Sequence, residues 1–306
     1  MRIIEGKAEF QLESGCAAAI GKFDGIHRGH LSLLSHILEQ RNRGREAVVF
    51  TFDPPASVYF GKGGKGELTT REEKRRFFAE LGIDVLIEFP LNKQTAATPA
   101  DVFVQRILAG QMRAAFIAAG EDLSFGRGGE GDRRLLEKLA PGYGFEVQII
   151  PKVLYEGREI SSSLVREAVE RGEMERARRL LGRNYSISGK VEPGRKLGRR
   201  LGMPTLNLYP PEDKLLPPRG VYYSRVRFPG GSCEGITNIG QKPTVNDTPA
   251  VSVETYLYGY EGDLYGEEIV TKLLHFRRPE RKFRDVEELK RQMEADILAG
   301  KKYHKI

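Results

Sequence analysis

The sequence has little cysteine and no long hydrophobic run. Its two cysteines, Cys16 and Cys233, lie more than two hundred residues apart, which argues against the disulfide framework of a small secreted domain. Cys16 lies in an apolar stretch, which favours a side chain packed in the core over a reactive thiol. No apolar run approaches the roughly 18 residues that a membrane span needs, and the opening residues 1–5 do not resemble a signal peptide. We therefore expect a cytoplasmic protein with no membrane partner.

The excess of positive over negative charge is also small for a chain of this length. The net charge of +7 could indicate nucleic-acid binding, because basic surfaces attract polyphosphates. Lysine and arginine are, however, interleaved with acidic residues along residues 71–74 and 281–290, a pattern typical of solvated helix faces. The sequence contains no zinc-finger or RRM-type aromatic string. Anionic nucleotides are the simpler partners, and we expect no nucleic acid.

Chain length and periodicity predict two domains, with the boundary near residue 183. The 306 residues suffice for two hydrophobic cores. In the first half, short apolar strands alternate with helices, which predicts an α/β fold with a doubly wound parallel sheet. The expected strands are 16–20, 47–52, 84–89, 114–119 and 145–150, and the expected helices are 30–41, 71–81, 99–109 and 132–139. Two of these helices have start signals, a capping box at Thr70 to Glu73 and an N-cap at Thr98 followed by Pro99.

The second half, residues 184–306, has a different pattern. Short β-rich segments broken by glycine and proline predict a small antiparallel β-barrel, followed by one carboxyl-terminal helix over residues 286–298. The expected strands are 185–191, 204–208, 220–228, 233–238, 251–258 and 267–275. Gly182 is a good helix C-cap, which places the domain boundary just after it.

Two histidines, His27 and His30, lie where an apolar strand becomes a helix. Residues three apart share a helix face, and the first turn of a helix offers unpaired N–H groups and a positive dipole end that favour an anion. Gly29 would let a phosphate approach the backbone, while Gly21 and Gly25 would allow the preceding tight turn. A zinc-ligand pair or an ordinary helix pair are the alternatives, and no Cys/His cluster nearby completes a zinc site.

Two further segments of the first half carry polar residues at strand or helix ends. Asp122 lies in a glycine-rich loop, residues 120–129, after a predicted strand. Three serines, Ser161 to Ser163, open a helix with Arg166 one turn later. The serines could simply be caps, or with the arginine they could clamp a triphosphate tail.

The second half contains one basic, glycine-rich string and one alternating strand. In residues 194–207, Gly198 and Gly202 precede Pro-Thr-Leu-Asn, and Thr205 and Asn207 share one side of an extended chain. Their oxygens suit Mg²⁺ bound together with nucleotide phosphates, although a basic turn with a capping threonine fits the local pattern equally well. Glu254 lies on the polar face of the strand 251–258, where a solvent-facing glutamate is the ordinary interpretation.

Together these strings resemble the prokaryotic bifunctional riboflavin kinase/FAD synthetase (FMN adenylyltransferase) family. The string from Gly21 to His30 is similar to its Gly-x-Phe-Asp-Gly-x-His-x-Gly-His signature, and residues 204–207 resemble its Pro-Thr-Ala-Asn motif. Further similarity runs through residues 235–240, 253–255, 264–266 and 278–283. Departures occur at residues 53–55, where a histidine commonly follows the first proline, at Ser163, where threonine is frequent, and at Leu206 in place of alanine.

The resemblance implies a nucleotidyltransferase-type fold for residues 1–183 and a role for each of the motif residues. His27 and His30 would stabilise charge during adenylyl transfer, and Glu254 would be the kinase base. Thr205 and Asn207 would hold Mg²⁺ with ATP, and Asp122 and Arg278 would contact flavin. The ATP and phosphate contacts would be Gly21, Phe23, Asp24, Gly25, Gly29, Ser161, Ser162, Ser163, Arg166, Gly198, Gly202, Thr205 and Asn207.

The function implied is the phosphorylation of riboflavin to FMN in residues 184–306, followed by the adenylylation of FMN to FAD in residues 1–183. ATP, riboflavin, FMN and FAD would be the bound molecules. Two alternatives remain open on the sequence: a monofunctional riboflavin kinase with an inactive adenylyltransferase module, and a flavin-responsive RNA-binding or regulatory protein. The sequence leaves the oligomeric state undetermined.

Overall fold

The computed structural model of the chain describes residues 1–61, 66–194, 202–243 and 249–306, together with Gly198. Residues 195–197 and 199–201 of the predicted basic string lie outside the described residues. The chain divides into two compact units, Met1–Ser162 and Ser163–Ile306.

The first unit contains the parallel sheet that the sequence predicts. Its strands are, in chain order, β1 (Arg2–Glu5), β2 (Cys16–Ile20), β3 (Glu46–Asp53), β4 (Val85–Pro90), β5 (Ala114–Gly120), β6 (Ser124–Phe125), β7 (Gly131–Asp132), β8 (Glu146–Ile150), β9 (Leu154–Tyr155) and β10 (Arg158–Glu159). The main sheet has the order β1-β4-β3-β2-β5-β8, and all of its strand pairs are parallel. Two small antiparallel pairs, β6 with β7 and β9 with β10, follow β5 and β8.

Helices cover both faces of this sheet. They are α1 (Arg28–Glu39), α2 (Ala56–Tyr59), α3 (Arg71–Leu81), α4 (Lys93–Ala96), α5 (Ala100–Val102), which continues as a π-helix over Phe103–Gln111, and α6 (Arg133–Tyr143). Short 3₁₀ turns occupy Gln40–Arg43 and Arg127–Gly129. One buried cluster on one face of the sheet includes Val48 and Phe50, and a second on the other face joins Ala17 and Ala19 to Leu34 of α1. Burial on both faces explains the near-continuous apolar strands.

The strand order reverses between β2 and β5. From β2 the chain moves outward through β3 and β4, whereas β5 and β8 lie on the opposite side of β2. In open α/β sheets, ligands bind beyond the carboxyl ends of the strands at such a switch point. The loops that follow β2 and β5, which carry the histidine pair and Asp122, are therefore those expected to form a ligand crevice.

The predicted helix starts have different outcomes. The capping box at Thr70 is confirmed, because Glu73 N donates to Thr70 Oγ1 at 3.2 Å and Thr70 N donates to Glu73 Oε2 at 3.0 Å. The predicted N-cap at Thr98 is wrong. Pro99 occupies the N-cap position without a side-chain cap, and Ala100 N donates instead to Glu130 Oε1 at 3.0 Å. A cap supplied from thirty residues away could not be found from local sequence.

The second unit contains the expected antiparallel barrel. Its strands are β11 (Tyr185–Lys190), β12 (Thr205–Leu208), β13 (Gly220–Phe228), β14 (Gly231–Pro243), β15 (Pro249–Leu257) and β16 (Glu268–Pro279), and its helices are α7 (Ser162–Glu170), α8 (Met174–Leu181) and α9 (Val286–His304). The antiparallel order is β11-β16-β13-β14-β15-β12. A bridge between Glu192 and Asn207 joins the two ends of this order, which closes the sheet on itself.

Helix α9 extends six residues beyond the predicted end at 298. Asp285 caps its start by accepting from Glu288 N at 2.7 Å. Near its other end, Gly300 lies directly against the Tyr258 ring, and His304 Nδ1 lies 2.9 Å from Glu234 Oε2. A glycine near the end of a helical segment usually indicates a C-cap. Here Gly300 lies inside the helix, where the absence of a side chain leaves space for Tyr258. Among the described residues, no helix combines the length and apolarity of a membrane-spanning segment.

Candidate functional site

The two motif histidines lie together at the start of α1. His27 is the N-cap residue, and its Nδ1 accepts from His30 N at 3.4 Å. The two imidazole rings stack with centroids 3.7 Å apart and planes inclined by 19°. His27 is buried, with 6% of its surface exposed. No group of three or more metal-type side chains occurs among the described residues, so nothing in them supports the zinc alternative.

Phe23 lies under the histidine pair. Its side chain is fully buried, with its ring centroid 5.1 Å from that of His30 and 5.6 Å from that of Phe78. The structure therefore places this side chain in the core, where it supports His30. Phe23 and Ile26 have positive φ angles, 50° and 42°, which are uncommon for side chains of this size.

Hydrogen bonds from distant segments hold this unusual loop. Asp24 Oδ1 accepts from Leu68 N at 2.8 Å, and Gly25 N donates to Thr69 Oγ1 at 3.1 Å. Ser162 Oγ donates to the Asp24 carbonyl at 2.9 Å. The side chains of Asp24 and Ser162, both expected to contact phosphate, thus have described contacts that fix the backbone of the loop.

Two motif glycines leave room for neighbouring side chains. Gly25 has φ of +80°, and a Cβ there would lie 2.8 Å from Leu68 Cδ1. A Cβ at Gly29 would lie 3.2 Å from both Cε1 and Nδ1 of His27. The sequence suggests that Gly29 admits a phosphate to the backbone; the structure adds that it makes room for the His27 ring. Gly21 continues the strand edge, because its N–H donates to Phe50 O at 3.1 Å.

The loop after β5 carries Asp122 in an exposed position. The Asp122 side chain is 76% exposed, and its Oδ2 lies 3.5 Å from Lys152 Nζ. Lys152 also contacts Glu159 at 2.7 Å, and this hydrogen bond, with the two carboxylate charges, raises the Lys152 pKa. Because β2 and β5 are neighbours in the sheet, Asp122 and the histidines follow adjacent strand ends.

Asp53, the first residue of the segment that departs from the family motif, belongs to an ion cluster around the buried Glu88. Asp53 Oδ2 accepts from Arg71 Nη2 at 2.8 Å, and Arg71 also reaches Glu88 Oε2 at 2.8 Å. Arg75 Nε donates to Glu88 Oε1 at 2.9 Å and Nη2 contacts Glu5 at 2.6 Å. Burial would raise the Glu88 pKa, but the hydrogen bonds and charges of the two arginines outweigh it and hold that pKa below its ordinary value. Asp53, the last residue of β3, is therefore held by an ion pair at the carboxyl end of that strand.

The residues of the predicted clamp of serines and arginine fall in different compact units. Ser161 and Ser162 end the first unit, whereas Ser163 and Arg166 belong to the second. Helix α7 begins at Ser162, so Ser163 and Arg166 lie three apart on one helix face. Ser163 is exposed and Arg166 is half-buried.

In the second unit, a cavity of about 260 Å³ gathers most of the predicted kinase residues. Its walls include Gly198, Thr205, Glu254 and Arg278. The sequence-based reasoning missed further wall residues: Asn238 and Glu280 beside the strands, and Leu289, Met293, Asp296 and Ile297 on α9. Asn238 and Glu280 lie within segments that resemble the family but were given no role there, whereas the four α9 residues are far from the motifs in sequence and reach the cavity only because the helix docks on the barrel.

Strand register places three polar side chains in one row. Glu254 of β15 lies directly opposite Asn207 of β12 on one side and Asn238 of β14 on the other. Asn207 is 5% exposed, and its Nδ2 donates to Thr205 O at 3.3 Å. The neighbours of Glu254 in sequence, Val253 and Thr255, are buried in the barrel. Glu254 is half-buried and lines the cavity, so it is not the ordinary solvent-facing glutamate.

Two described glycines of the basic string, Gly194 and Gly198, lie close to β12 and the residues just before it. Gly198 O accepts from Met203 N at 2.8 Å, and a Cβ on Gly198 would collide with the Met203 carbonyl oxygen. A Cβ on Gly194 would lie 2.5 Å from Asn207 Nδ2 and 2.6 Å from its Oδ1. Gly202 has φ of +77°. A larger residue at Gly194 or Gly198 would therefore displace Asn207 or Met203, which lie close to the cavity.

Arg278 is held by α9. Its Nε and Nη2 donate to Asp296 Oδ2 at 2.9 and 2.7 Å. Asp296 lies on the same helix stripe as Met293 and Ile297, at spacings of three and one residues. The sequence signal that could have revealed this ion pair is an aspartate on an otherwise apolar helix stripe. A buried carboxylate is rare unless it is paired, so Asp296 predicts a basic or polar partner.

Comparison with known proteins adds two family matches. The family model described as FAD synthetase matches residues 9–164, and the one described as riboflavin kinase matches residues 181–304. The chain is 36% identical over 294 residues to a bifunctional riboflavin kinase/FMN adenylyltransferase of Escherichia coli (strain K12), covering 95% of this chain and 93% of the relative. A protein of the same description from Listeria monocytogenes is 37% identical over 281 residues, covering 91% and 89%.

A solved structure is similar over the whole chain. It is a crystal structure from Streptococcus pneumoniae described as a macrolide-efflux protein, with a TM-score of 0.85 and 26% sequence identity, and it covers 98% of each chain. The likeness therefore extends over both compact units.

Proposed function

The chain belongs to the bifunctional riboflavin kinase/FMN adenylyltransferase family, and on that premise we propose how its two activities are divided along the sequence. It is a transferase of flavin biosynthesis that converts riboflavin to FMN and FMN to FAD. We assign adenylyl transfer to residues 1–183 and phosphorylation to residues 184–306. The two family models support this division, since they match residues 9–164 and 181–304. Matches to both models also disfavour the monofunctional and regulatory alternatives.

The cavity in the second unit is the observation that carries the kinase assignment. It brings Thr205, Glu254 and Arg278 together from three strands. Glu254 would accept the proton of the riboflavin 5′-hydroxyl while that oxygen attacks the γ-phosphorus of ATP and ADP leaves. Arg278 would contact the flavin. Gly198 and Gly202 would let the preceding loop approach the ATP phosphates.

The residues beside Glu254 fit a magnesium ion. Thr205 supplies a hydroxyl oxygen and Asn207 an amide oxygen, which are hard donors of the kind that Mg²⁺ takes. Magnesium is commonly held by few protein oxygens together with substrate phosphates, which agrees with a pair of neutral donors next to one carboxylate. A bound Mg²⁺ would neutralise charge on the ATP phosphates.

The histidine pair would serve adenylyl transfer. An oxygen of the FMN phosphate attacks the α-phosphorus of ATP, and pyrophosphate leaves. This reaction needs orientation and charge stabilisation without a protein nucleophile. His27, His30 and the N–H groups of the first turn of α1 would stabilise the phosphates, with the loop backbone from Gly21 to Gly29 close to ATP.

The remaining site assignments extend this proposal. Ser161, Ser162, Ser163 and Arg166 would hold the outgoing pyrophosphate, and Asp122 would contact nucleotide or flavin at the neighbouring strand end. Ser162 would act partly through the Asp24 carbonyl, to which it donates. We further propose that the enzyme works in the cytoplasm, without a nucleic-acid or membrane partner.

The test separates the two activities. Purified protein is incubated with ATP and Mg²⁺ and with either riboflavin or FMN, and the flavins are resolved by chromatography. Glu254→Gln should abolish FMN formation while supplied FMN is still converted to FAD, and His30→Ala should do the reverse. Glu267→Gln, at an exposed position, and His36→Ala, on the same helix as His30, are matched controls that should retain both activities.

Loss of both activities in either variant, with the protein still folded by circular dichroism, would show that the division of labour is wrong. Formation of FMN but no FAD by the unmodified chain would contradict the adenylyl-transfer assignment.

A further inference from the structure

Helix α9 contributes a buried carboxylate to the cavity wall. Three apolar side chains of this helix, Leu289, Met293 and Ile297, line the cavity, and Asp296 lies among them. Asp296 is only 3% exposed. A carboxylate in such a place is unfavourable unless charged or polar partners compensate for the lost hydration.

The partners of Asp296 are specific. Arg278 donates to Oδ2 through Nε at 2.9 Å and Nη2 at 2.7 Å, while Gln292 Nε2 donates to Oδ1 at 3.0 Å. Arg277 Nε lies farther away, 3.9 Å from Oδ1. Arg278 Nη1 also donates to Pro279 O at 3.0 Å. Among the described residues, these contacts use three of the five guanidinium N–H donors, so two are left for a molecule in the cavity.

Arginine normally loses much rotamer freedom when a ligand fixes it. Here two bonds from the guanidinium to one buried carboxylate fix its plane before any ligand arrives, and Gln292 fixes the carboxylate in turn. Ordering the donors in advance removes part of the entropy lost on binding.

We infer that Asp296 is a positioning residue for riboflavin binding, which acts by holding Arg278 in the cavity wall. The carboxyl-terminal helix is then part of the flavin site through this pair. The inference rests on the proposed function insofar as Arg278 contacts the flavin.

The experiment measures the dissociation constant of riboflavin by quenching of flavin fluorescence, and separately the KM for ATP and the kinase rate. Asp296→Asn should weaken riboflavin binding about tenfold, the effect of losing one charge-assisted hydrogen bond, and should leave the KM for ATP within about twofold. Glu294→Gln removes a carboxylate from an exposed position of the same helix and should leave both values unchanged.

A double-mutant cycle distinguishes positioning from a general structural effect. In an Arg278→Gln background, Asp296→Asn should cause no further loss of riboflavin affinity. An equal loss in both backgrounds overturns the inference, as does unchanged affinity in Asp296→Asn alone. If Asp296→Asn does not fold, Gln292→Ala, which removes only the support of the carboxylate, should weaken binding in the native background and not with Arg278→Gln.

The binding measurement also distinguishes a failure of this inference from a failure of the proposed kinase function. A chain that binds riboflavin with this coupling but makes no FMN would refute the proposed kinase function and leave the inference standing. If the chain makes FMN but Asp296→Asn and Arg278→Gln act independently, the inference is refuted and the kinase function stands.

Discussion

Replacing Gly194 by alanine should damage the kinase reaction while leaving the fold almost intact. The added Cβ would lie 2.5 Å from Asn207 Nδ2, 2.6 Å from Oδ1 and 2.7 Å from Cγ, so the Asn207 amide must move. Asn207 lies opposite Glu254 in the sheet and is proposed to hold Mg²⁺ with the ATP phosphates. The substitution therefore displaces a site residue without removing any of its atoms.

The cost to stability is small because the displaced group is the end of a side chain. Moving it loses the 3.3 Å bond from Asn207 Nδ2 to Thr205 O, worth about 1 kcal/mol, and an unfavourable rotamer costs about 1 kcal/mol more. We expect the free energy of unfolding to fall by about 1 to 2 kcal/mol. The catalytic cost is larger, since misplacing a positioning group by about 1 Å can lower a rate about a hundredfold.

The assay is FMN formation from riboflavin and ATP, with conversion of supplied FMN to FAD measured in parallel. Gly189→Ala is the matched control, because a Cβ there would meet only Leu208 Cδ2 at 3.9 Å, an ordinary contact. We expect kcat/KM for FMN formation to fall about a hundredfold in Gly194→Ala alone, with FAD formation from FMN unchanged. Kinase activity within about twofold of the unmodified enzyme would refute the reasoning, as would equal loss of both activities.

Three other substitutions test the first unit. Glu88→Gln should lower the free energy of unfolding by about 3 kcal/mol at pH 7. The folded-state pKa of Glu88 is depressed, so its stabilising contribution is present above the unfolded-state pKa. That contribution is lost as the pH falls through the folded-state pKa. The difference from the unmodified chain in urea unfolding should therefore shrink as the pH falls below the ordinary glutamate pKa of 4.5, and a pH-independent difference would contradict this. Thr70→Ala should cost about 1 kcal/mol, and the double variant with Glu73→Ala should lose less stability than the sum of the two single variants, because the two residues share one capping box; full additivity would show that they cap independently. Gly29→Ala should reduce FAD formation from FMN about tenfold by displacing the His27 ring, while Tm is unchanged or raised because alanine favours helix; unchanged activity would show that the ring adapts freely.

Periodicity was sufficient to predict five of the six strands of the parallel sheet. The strand at Cys16–Ile20 and the helix at Arg71–Leu81 have the predicted bounds, because burial on one or both faces dictates local hydrophobic spacing. Elements that depend on distant partners were not predictable in the same way. Strand β1 is short and partly exposed, and it exists through pairing with β4, some eighty residues later.

The same distinction separates the predicted and missed wall residues of the cavity in the second unit. Thr205 could be found from a compact local motif, whereas Glu254 was singled out only by the family resemblance, because its strand pattern alone favours a solvent-facing glutamate. Asn238 lies opposite Glu254 only through the register of β14 and β15, and Asp296 reaches Arg278 only because α9 docks on the barrel. Neither placement follows from residues nearby in the sequence.

The histidine motif shows that a recognisable string need not consist of ligand contacts. Phe23 packs below His30, Asp24 accepts from the backbone of a distant segment, and Gly29 leaves space for the ring of His27. All three therefore constrain the orientation of two stacked imidazoles. An acidic side chain next to bound phosphates would also be electrostatically unfavourable, which makes the structural role of Asp24 the more consistent one. Substitutions at these three positions should thus alter adenylyl transfer through the geometry of His27 and His30, not through lost contacts with ATP.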